Sequence, residues 1–242
     1  MKLPPAPHEW DVPPARAIAL QRRLAARVVI APPPAPPRLI AGLDAAFSRD
    51  GRWCIAGVVL WDARERRVVE TRVARRRRRF PYIPGLLSFR EAPALLAALR
   101  ALRATPDAAM CDGQGLAHPR RFGIACHVGL LAGLPAVGCA KSRLTGAPAE
   151  PGPRRGAWAP LADAGEVVGA ILRTRDAARP VYVSVGHRFD LPSAVRLVLD
   201  CGAGFRLPEP TRLADILVAR AKAAPRIDWH RGSAPAIFAR QR

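Results

Sequence analysis

Lysine, long apolar runs and paired cysteines are the features that this chain has least of. Among its 242 residues only Lys2, Lys141 and Lys222 are lysines, and nearly all of the positive charge comes from arginine. No stretch approaches the ~20 apolar residues that a membrane-spanning helix needs, and residues 1–11 have no apolar core of the signal-peptide type. Both absences argue against a membrane-spanning or secreted protein, so we expect a cytoplasmic one.

The cysteines are odd in number and scattered, at Cys54, Cys111, Cys126, Cys139 and Cys201. None forms a Cys-x-x-Cys pair, so their spacing supports neither a zinc site nor a disulfide framework. We expect free thiols, which persist in a reducing cytosol.

The charge of the chain is strongly one-sided. Lys plus Arg total 39 and Asp plus Glu total 19, which gives a formal net charge of +20. This surplus indicates a polyanionic partner, with nucleic acid as the first candidate and an anionic membrane surface as the second. The membrane alternative is weaker because the arginines are dispersed and no strongly amphipathic basic helix is visible. Hydrophobic residues make up 50% of the chain, which favours a globular fold.

Hydrophobic periodicity predicts one α/β domain. A helix that begins at Pro13-Pro14 is expected to run to about Ile30, with Val28 on its apolar face. Three strands with short links then suggest an antiparallel meander, over residues 38–47, 53–61 and 67–74. Later strands are predicted at 108–111, 135–139, 167–172 and 181–185, and later helices at 88–103, 119–132, 192–201 and 211–223.

No internal repeat and no clear linker divides the chain. We expect a leader and helix that pack on the domain (1–37), a main domain (38–224) and a basic C-terminal tail (225–242). Residues 1–12 have the composition of a loose leader.

Three carboxylates occur where a protein core would not favour them. Asp44 interrupts an apolar strand, Asp112 ends a second strand, and Glu91 lies near the start of the helix between them. A buried carboxylate is costly unless it is paired or binds a metal. Side by side, the three side chains could hold Mg²⁺ through oxygen ligands. Such a site activates water and stabilises the leaving oxygen in phosphodiester hydrolysis.

Each carboxylate also has a purely structural interpretation. Asp112 before Gly113 fits a turn, and Ser88-x-x-Glu91 matches a capping box at a helix start. Asp44 has neither a turn nor a cap nearby, and its alternative is a salt bridge to an arginine.

Two further positions, Lys141 and His118, each have a chemical and a structural interpretation. Lys141 follows a short strand and would stabilise negative charge at a phosphate, or would be an ordinary surface lysine. His118 precedes Pro119, which suits the first position of a helix, so that Arg120 and Arg121 in its first turn would hold a phosphate. The alternative is a helix-entry histidine that binds no ligand.

The arginine run Arg75–Arg79 is followed by Phe80-Pro-Tyr-Ile-Pro-Gly85. Basic residues next to a stiff segment that carries an aromatic side chain suit the unstacking of DNA bases. A solvated edge for the arginines, and a proline-braced core position for Tyr82, are the structural alternatives.

In their order along residues 38–222 the motifs resemble those of the endonuclease V family. They are Ile40-Ala-Gly-Leu-Asp44, Pro81-Tyr-Ile-Pro-Gly85 with Ser88-Phe-Arg-Glu91, Cys111-Asp-Gly-Gln-Gly-Leu-Ala-His-Pro-Arg-Arg121, Gly138-Cys-Ala-Lys141, Gly186-His-Arg188 and Arg206-Leu-Pro-Glu-Pro-Thr-Arg-Leu-Ala-Asp215. Single motifs are modest evidence, but the ordered set is highly specific. One departure is Gln114, where many relatives carry histidine.

The resemblance implies an RNase H-like fold, with a mixed central sheet flanked by helices and residues 38–224 as the catalytic domain. It implies catalytic roles for Asp44, Glu91, Asp112 and Lys141. It further implies that Asp44, Asp112 and Asp215 bind the metal, that Mg²⁺ is the cofactor and that Mn²⁺ can substitute for it. The implied DNA contacts are Pro81, Tyr82, Ile83, Pro84, Gly113, Gln114, Gly115, His118 and Arg120.

The implied reaction is a DNA-repair step. A monomer would hydrolyse the second phosphodiester bond 3′ to deoxyinosine, the product of adenine deamination, and leave 3′-hydroxyl and 5′-phosphate ends. Inosine-containing RNA is a further candidate substrate. Two alternatives remain open: another RNase H-like nuclease, structure-specific or RNA-directed, and a non-catalytic basic module that binds nucleic acid.

Overall fold

The computed structural model describes residues 1–223. The predicted basic tail, residues 225–242, therefore lies outside the described residues. Within residues 1–223 no helix has the length and apolar character needed to cross a membrane. All five cysteines are buried free thiols, as expected.

The chain forms eight strands and five helices over its described length. The strands are β1 (Leu39–Phe47), β2 (Trp53–Asp62), β3 (Arg67–Arg77), β4 (Ala108–Cys111), β5 (Ala136–Ala140), β6 (Trp158–Asp163), β7 (Glu166–Leu172) and β8 (Val181–His187). The helices are α1 (Pro14–Ala25), α2 (Leu87–Arg100), α3 (Ile124–Ala132), α4 (Leu191–Asp200) and α5 (Glu209–Ala223).

All eight strands belong to one mixed sheet, in the order β3-β2-β1-β4-β5-β8-β7-β6. The first three strands form the predicted antiparallel meander. Strands β1, β4 and β5 are parallel neighbours at the centre, and β8, β7 and β6 continue antiparallel to the far edge. Parallel central strands place their carboxyl ends at one edge of the sheet, where α/β proteins commonly bind ligands.

Helices cover both faces of the sheet. Because side chains alternate along a strand, Ile40 packs with the helices α4 and α5, whereas Ala41 and Leu43 pack with α2 and α3. Asp44 therefore points to the same side as Ile40, toward α5.

Two glycines allow α5 to lie directly on the sheet. A Cβ atom at Gly42 of β1 would lie 2.0 Å from the Pro210 carbonyl oxygen, and one at Gly57 of β2 would lie 2.8 Å from a Val218 methyl group. Neither distance is compatible with a side chain. The close packing brings Asp215 of α5 over the part of β1 that carries Asp44.

The first helix is shorter than the sequence predicts, since it ends at Ala25 and not near Ile30. Val29 donates its N–H to Nδ1 of His187 at 3.2 Å and accepts the N–H of Arg188 at 2.7 Å, and Ile30 bridges Phe189. The β-branched residues after the helix are thus extended beside the end of β8, as their propensity favours.

The prediction of a helix from Pro119 is also wrong, because α3 begins at Ile124. The N–H of Gly123 bonds to the carbonyl of Gly115 at 3.0 Å, which folds the segment before the helix back on itself. Strand β6 was not predicted. It contains Pro160 and lies at the sheet edge, where proline costs no ladder hydrogen bond.

Residues 1–12 are not a loose leader. Trp10 contacts the rings of His127 and Phe89, with centroid distances of 5.0 and 6.0 Å. His8 Nε2 lies 2.8 Å from His127 Nε2. The segment therefore packs against α2 and α3, while the division of the chain at residue 38 remains a prediction.

Candidate active site

The three central parallel strands each deliver one charged side chain to the same edge of the sheet. Pairing of β1 with β4 ends at Leu43 and Cys111, and the N–H of Asp112 donates to the Leu43 carbonyl at 3.0 Å. Asp44 and Asp112 are thus neighbours just beyond the last paired residues. Lys141 follows the end of β5. Alternation along the strands places all three side chains on the face covered by α5.

Lys141 joins the carboxylates. Its Nζ lies 2.8 Å from Oδ2 of Asp112 and 3.5 Å from Oδ2 of Asp215. Burial of the ammonium opposes its charge, but the bond to Asp112 and the charges of Asp112, Asp215 and Asp44 together raise the pKa of Lys141. The side chain is therefore a fixed positive charge and not an ordinary surface lysine.

Glu91 on α2 completes the cluster from the opposite layer. Burial, with the added repulsion of Asp44 and Asp112, raises the pKa of Glu91 to about 8. Burial and the charges of Asp112 and Asp215 likewise raise the pKa of Asp44 to about 7. More negative charge converges here than Lys141 neutralises, so the site attracts a further cation.

The donor set fits a hard divalent cation. Every candidate ligand is a carboxylate oxygen, the type that Mg²⁺ prefers. Among residues 1–223 no group of three acidic, histidine or cysteine side chains is placed so that all three could hold one metal ion. Mg²⁺ does not need such a group, because it keeps several waters and binds through one or two carboxylates. Asp44 and Asp112 supply such an open pair, with Glu91 and Asp215 beside it.

The capping-box interpretation of Ser88 and Glu91 is wrong. Leu86 is the residue before the first turn of α2, and among the described residues no side chain caps that end of the helix. Ser88 instead shares a 2.9 Å hydrogen bond with Nδ1 of the buried His127. The Glu91 carboxylate is thus left for the acidic cluster.

Tyr82 lies on the surface beside this cluster. Its side chain is 68% exposed, which rules out the core position. The guanidinium of Arg90 lies 5.5 Å from the tyrosine ring centroid, while Phe80 and Leu86 anchor the segment in a small apolar cluster. The aromatic ring therefore projects from a firmly held loop.

One carbonyl holds the end of that loop. Gly85 O accepts from Nε2 of Gln21 at 3.0 Å and from Nη2 of Arg120 at 2.6 Å, and it lies 2.9 Å from Nε2 of His118. Burial lowers the pKa of His118 to about 4, so this histidine is neutral. Within the described chain His118 and Arg120 brace the tyrosine loop. They do not lie at the start of a helix, as predicted, because α3 begins at Ile124.

A pocket of about 370 Å³ opens between the tyrosine loop and the acidic cluster. Its lining includes Tyr82, Gly113, Gln114, Asp112 and Lys141, together with Pro84, Ile124, Ser142 and Leu144. Both ends of the Gln114 amide are engaged, since Nε2 donates to the Ser142 carbonyl at 2.9 Å and Oε1 accepts from Ser184 at 3.3 Å. Gln114 thus shapes the pocket wall.

Gly115 has a structural role next to the pocket. Its N–H donates to Ser184 Oγ at 2.7 Å, and a Cβ atom there would lie 2.0 Å from the Val185 carbonyl oxygen. Pro81 and Ile83 lie with Tyr82 in the loop. Gln21 and Ser142 were not predicted as site residues. No local pattern identifies either, because their hydrogen bonds are to residues 64 and 28 positions away in the chain.

The raised carboxyl pKa values predict a pH-dependent instability of the metal-free protein. In the unfolded chain the carboxyl groups of Asp44 and Glu91 have pKa values near the ordinary 3.8 and 4.5. In the folded protein these pKa values rise to about 7 and about 8. Stability is therefore lost as pH rises through this window. In EDTA, Asp44→Asn is expected to raise Tm by about 5 °C near pH 8 and to change it little near pH 4. The exposed control Asp200→Asn should give no such difference in Tm. Equal melting curves for Asp44→Asn and wild type at both pH values would show that the pKa of Asp44 is not raised in the folded protein.

Comparison with known proteins agrees with this geometry. The sequence model of the family described as Endonuclease V matches residues 22–216. The Endonuclease V of Roseiflexus castenholzii is 51% identical over 219 residues, which span 90% of this chain and 98% of that protein. The crystal structure of Endonuclease V from Streptomyces avermitilis has a TM-score of 0.85 and 44% identity, covering 89% of this chain and 95% of that one.

A more distant structure shares the fold. Endonuclease V of Ciona intestinalis, solved in complex with a 24-mer DNA containing an inosine followed by a ribo-adenosine, has a TM-score of 0.74 and 22% identity, covering 86% of this chain and 96% of that one. The predicted RNase H-like architecture is confirmed by these matches. Because the family model covers most of its length and about half of its residues are shared with a relative of the same size, the chain belongs to the endonuclease V family and is an endonuclease that cleaves DNA.

Proposed function

We propose that this endonuclease hydrolyses the second phosphodiester bond 3′ to deoxyinosine, leaves 3′-hydroxyl and 5′-phosphate ends, and uses Mg²⁺. The observation that carries the proposal is the pocket of about 370 Å³ between Tyr82 and the pair Asp112–Lys141. It is large enough for a purine base that has left the helix. A base held in this pocket would place the phosphodiester backbone of the same DNA strand beside the acidic cluster. The inosine-containing DNA bound to the Ciona relative supports the choice of lesion.

Each residue has a role that follows from its position. When bound, Mg²⁺ would activate water and stabilise the leaving oxygen, with Asp44 and Asp112 as ligands and Asp215 as a supporting carboxylate. Lys141 holds a fixed positive charge beside Asp112, so it stabilises negative charge on the phosphate and does not act as a base. Asp44 and Glu91 must lose their protons before they bind a cation, so metal affinity rises with pH.

Tyr82 reads the lesion by replacing the everted base. Proline at 81 and 84 restricts the loop, and the three donors on Gly85 O hold its end. The aromatic ring thus loses little conformational freedom when it enters the base stack.

We further propose the finer features of this activity. Mn²⁺ substitutes for Mg²⁺, since an all-carboxylate site suits both ions. Inosine in RNA is a second substrate, because a single-stranded base enters the pocket without unstacking. The protein works as a monomer, since every residue of the site comes from one chain, and the free thiols favour the cytoplasm.

The test is incubation with an end-labelled duplex that carries one deoxyinosine, with Mg²⁺ or with EDTA. The expected product is a single cut at the second bond 3′ to the lesion, seen only with the metal. An undamaged duplex and a branched duplex are the controls. Preferential cutting of branched DNA would favour the structure-specific alternative, and cutting in EDTA would overturn the metal assignment. The non-catalytic alternative is already wrong, because the family consists of nucleases.

A further inference from the structure

A second groove runs along α2 on the side away from the base pocket. It has a volume of about 680 Å³ and lies between residues 5–11, the end of β3 and helix α2. Five arginines line it, against two acidic side chains, Glu9 and Asp11. The arginines are Arg76, Arg77, Arg79, Arg90 and Arg100.

The arginines of this groove are poorly neutralised. Arg76, Arg77 and Arg79 are exposed, and within residues 1–223 the guanidinium groups of Arg77 and Arg79 have neither an ion pair nor a hydrogen bond. The Arg90 Nε is buried without a hydrogen-bond partner in the same part of the chain. Concentrated positive charge with free donors favours an anionic ligand that supplies several acceptors at once.

Arg90 connects the groove to the catalytic surface. Its guanidinium lies 3.9 Å from the ring centroid of Phe47, at the end of β1, and 5.5 Å from that of Tyr82. Its chain neighbour Glu91 belongs to the acidic cluster. From Arg90 the groove follows α2 to Arg100, so a polyanion held at Tyr82 has a basic path that leads away from the site of cleavage.

We propose that this groove binds the sugar–phosphate backbone of one DNA flank and so extends the enzyme's footprint beyond the lesion. The inference rests on the chain being a DNA endonuclease and not on the choice of deoxyinosine. Phosphate contacts position a duplex but carry no sequence information. The groove therefore strengthens binding equally for damaged and undamaged DNA, and it acts only when the flank is long enough to reach it.

DNA is favoured over an anionic membrane surface for a geometric reason. The charge lies in a recessed groove that continues into the catalytic surface, whereas membrane binding uses a basic face with apolar side chains beside it. A second arm of the test, with phosphatidylserine vesicles, separates the two.

The test variant combines Arg76→Gln, Arg77→Gln and Arg79→Gln. Its matched control combines Arg64→Gln, Arg67→Gln and Arg175→Gln, three exposed arginines that do not line the groove. Arg64 and Arg67 lie at the opposite end of β3, and Arg175 lies between β7 and β8. Both variants lose the same charge. Affinity is measured by fluorescence anisotropy at several salt concentrations, on a long duplex with a central deoxyinosine, its undamaged counterpart, and two duplexes shortened on one side of the lesion.

The groove variant is expected to bind both long duplexes at least about tenfold more weakly at low salt, with a log–log salt slope reduced by about 3. Shortening one of the two flanks should abolish its difference from wild type. Cleavage at saturating enzyme should be unchanged. The proposal is overturned if the control loses as much affinity, if the loss is the same for every duplex length, or if only vesicle binding changes. Failure to cut deoxyinosine would instead count against the proposed function alone.

Discussion

Asp44→Ala and Asp112→Ala are each expected to reduce cleavage of a deoxyinosine duplex by at least about a thousandfold, or about 4 kcal/mol of barrier. The two carboxylates lie side by side at the ends of β1 and β4, and each would supply one of the two ligands of the metal. DNA affinity should remain mostly intact, because it comes from arginine–phosphate contacts that need no metal. Single-turnover cleavage and anisotropy, measured on the same preparations, separate the two effects.

Asp200→Ala is the matched control. This carboxylate is exposed on α4 and, within residues 1–223, forms an ion pair only with Arg196 one turn away. Its loss should therefore change neither cleavage nor affinity. Near-normal metal-dependent turnover by Asp44→Ala or Asp112→Ala would remove that residue from the active site. Loss of activity together with unfolding would be a different outcome, and melting curves in EDTA identify it, because removing Asp44 should stabilise the metal-free fold.

Tyr82→Ala is expected to weaken binding to a deoxyinosine duplex by about tenfold to a hundredfold, since base–aromatic stacking is worth roughly 1–3 kcal/mol. Selectivity over undamaged duplex should fall by the same factor. A single-stranded inosine substrate should be affected less, because no base has to be unstacked. The side chain is 68% exposed, so the substitution should leave Tm nearly unchanged.

Tyr82→Phe keeps the ring and is the control for stacking. It should retain most of the selectivity that the alanine variant loses. If both variants behave like wild type on duplex and single strand, the loop does not act as a wedge. If both lose activity equally on the two substrates, Tyr82 acts in the chemical step, and the wedge assignment is wrong.

The sequence located the first strands of the RNase H-like fold and the carboxylates of the acidic cluster, but it did not give every contact around them. Apolar runs separated by turn-forming polar residues located β1, β2 and β3. Asp44 stood out because a charge inside such a run needs a reason. Ser88 was misleading, since its spacing to Glu91 suits a helix cap, and only the buried ring of His127 gives its hydroxyl a different partner.

Predictions of helix ends failed where backbone groups form hydrogen bonds with another segment of the chain instead of continuing the helix. Val29 and Ile30 would continue α1 by periodicity, but they pair instead with the end of β8, more than 150 residues away. Pro119 suits a helix start, but the bond between Gly123 and Gly115 delays α3 to Ile124. Long-range hydrogen bonds of this kind leave no mark in a short window of sequence.

By itself the sequence indicated a polyanionic partner, the positions of seven of the eight described strands and the identity of the acidic residues, because charge, apolar patterning and residue type are local properties. Only the tertiary structure decided that β1, β4 and β5 lie side by side, that Gly42 lets α5 carry Asp215 to Asp44, and that Gln21 holds the tyrosine loop through Gly85. These features depend on which surfaces pack together, and packing is set by the whole chain and not by any one segment.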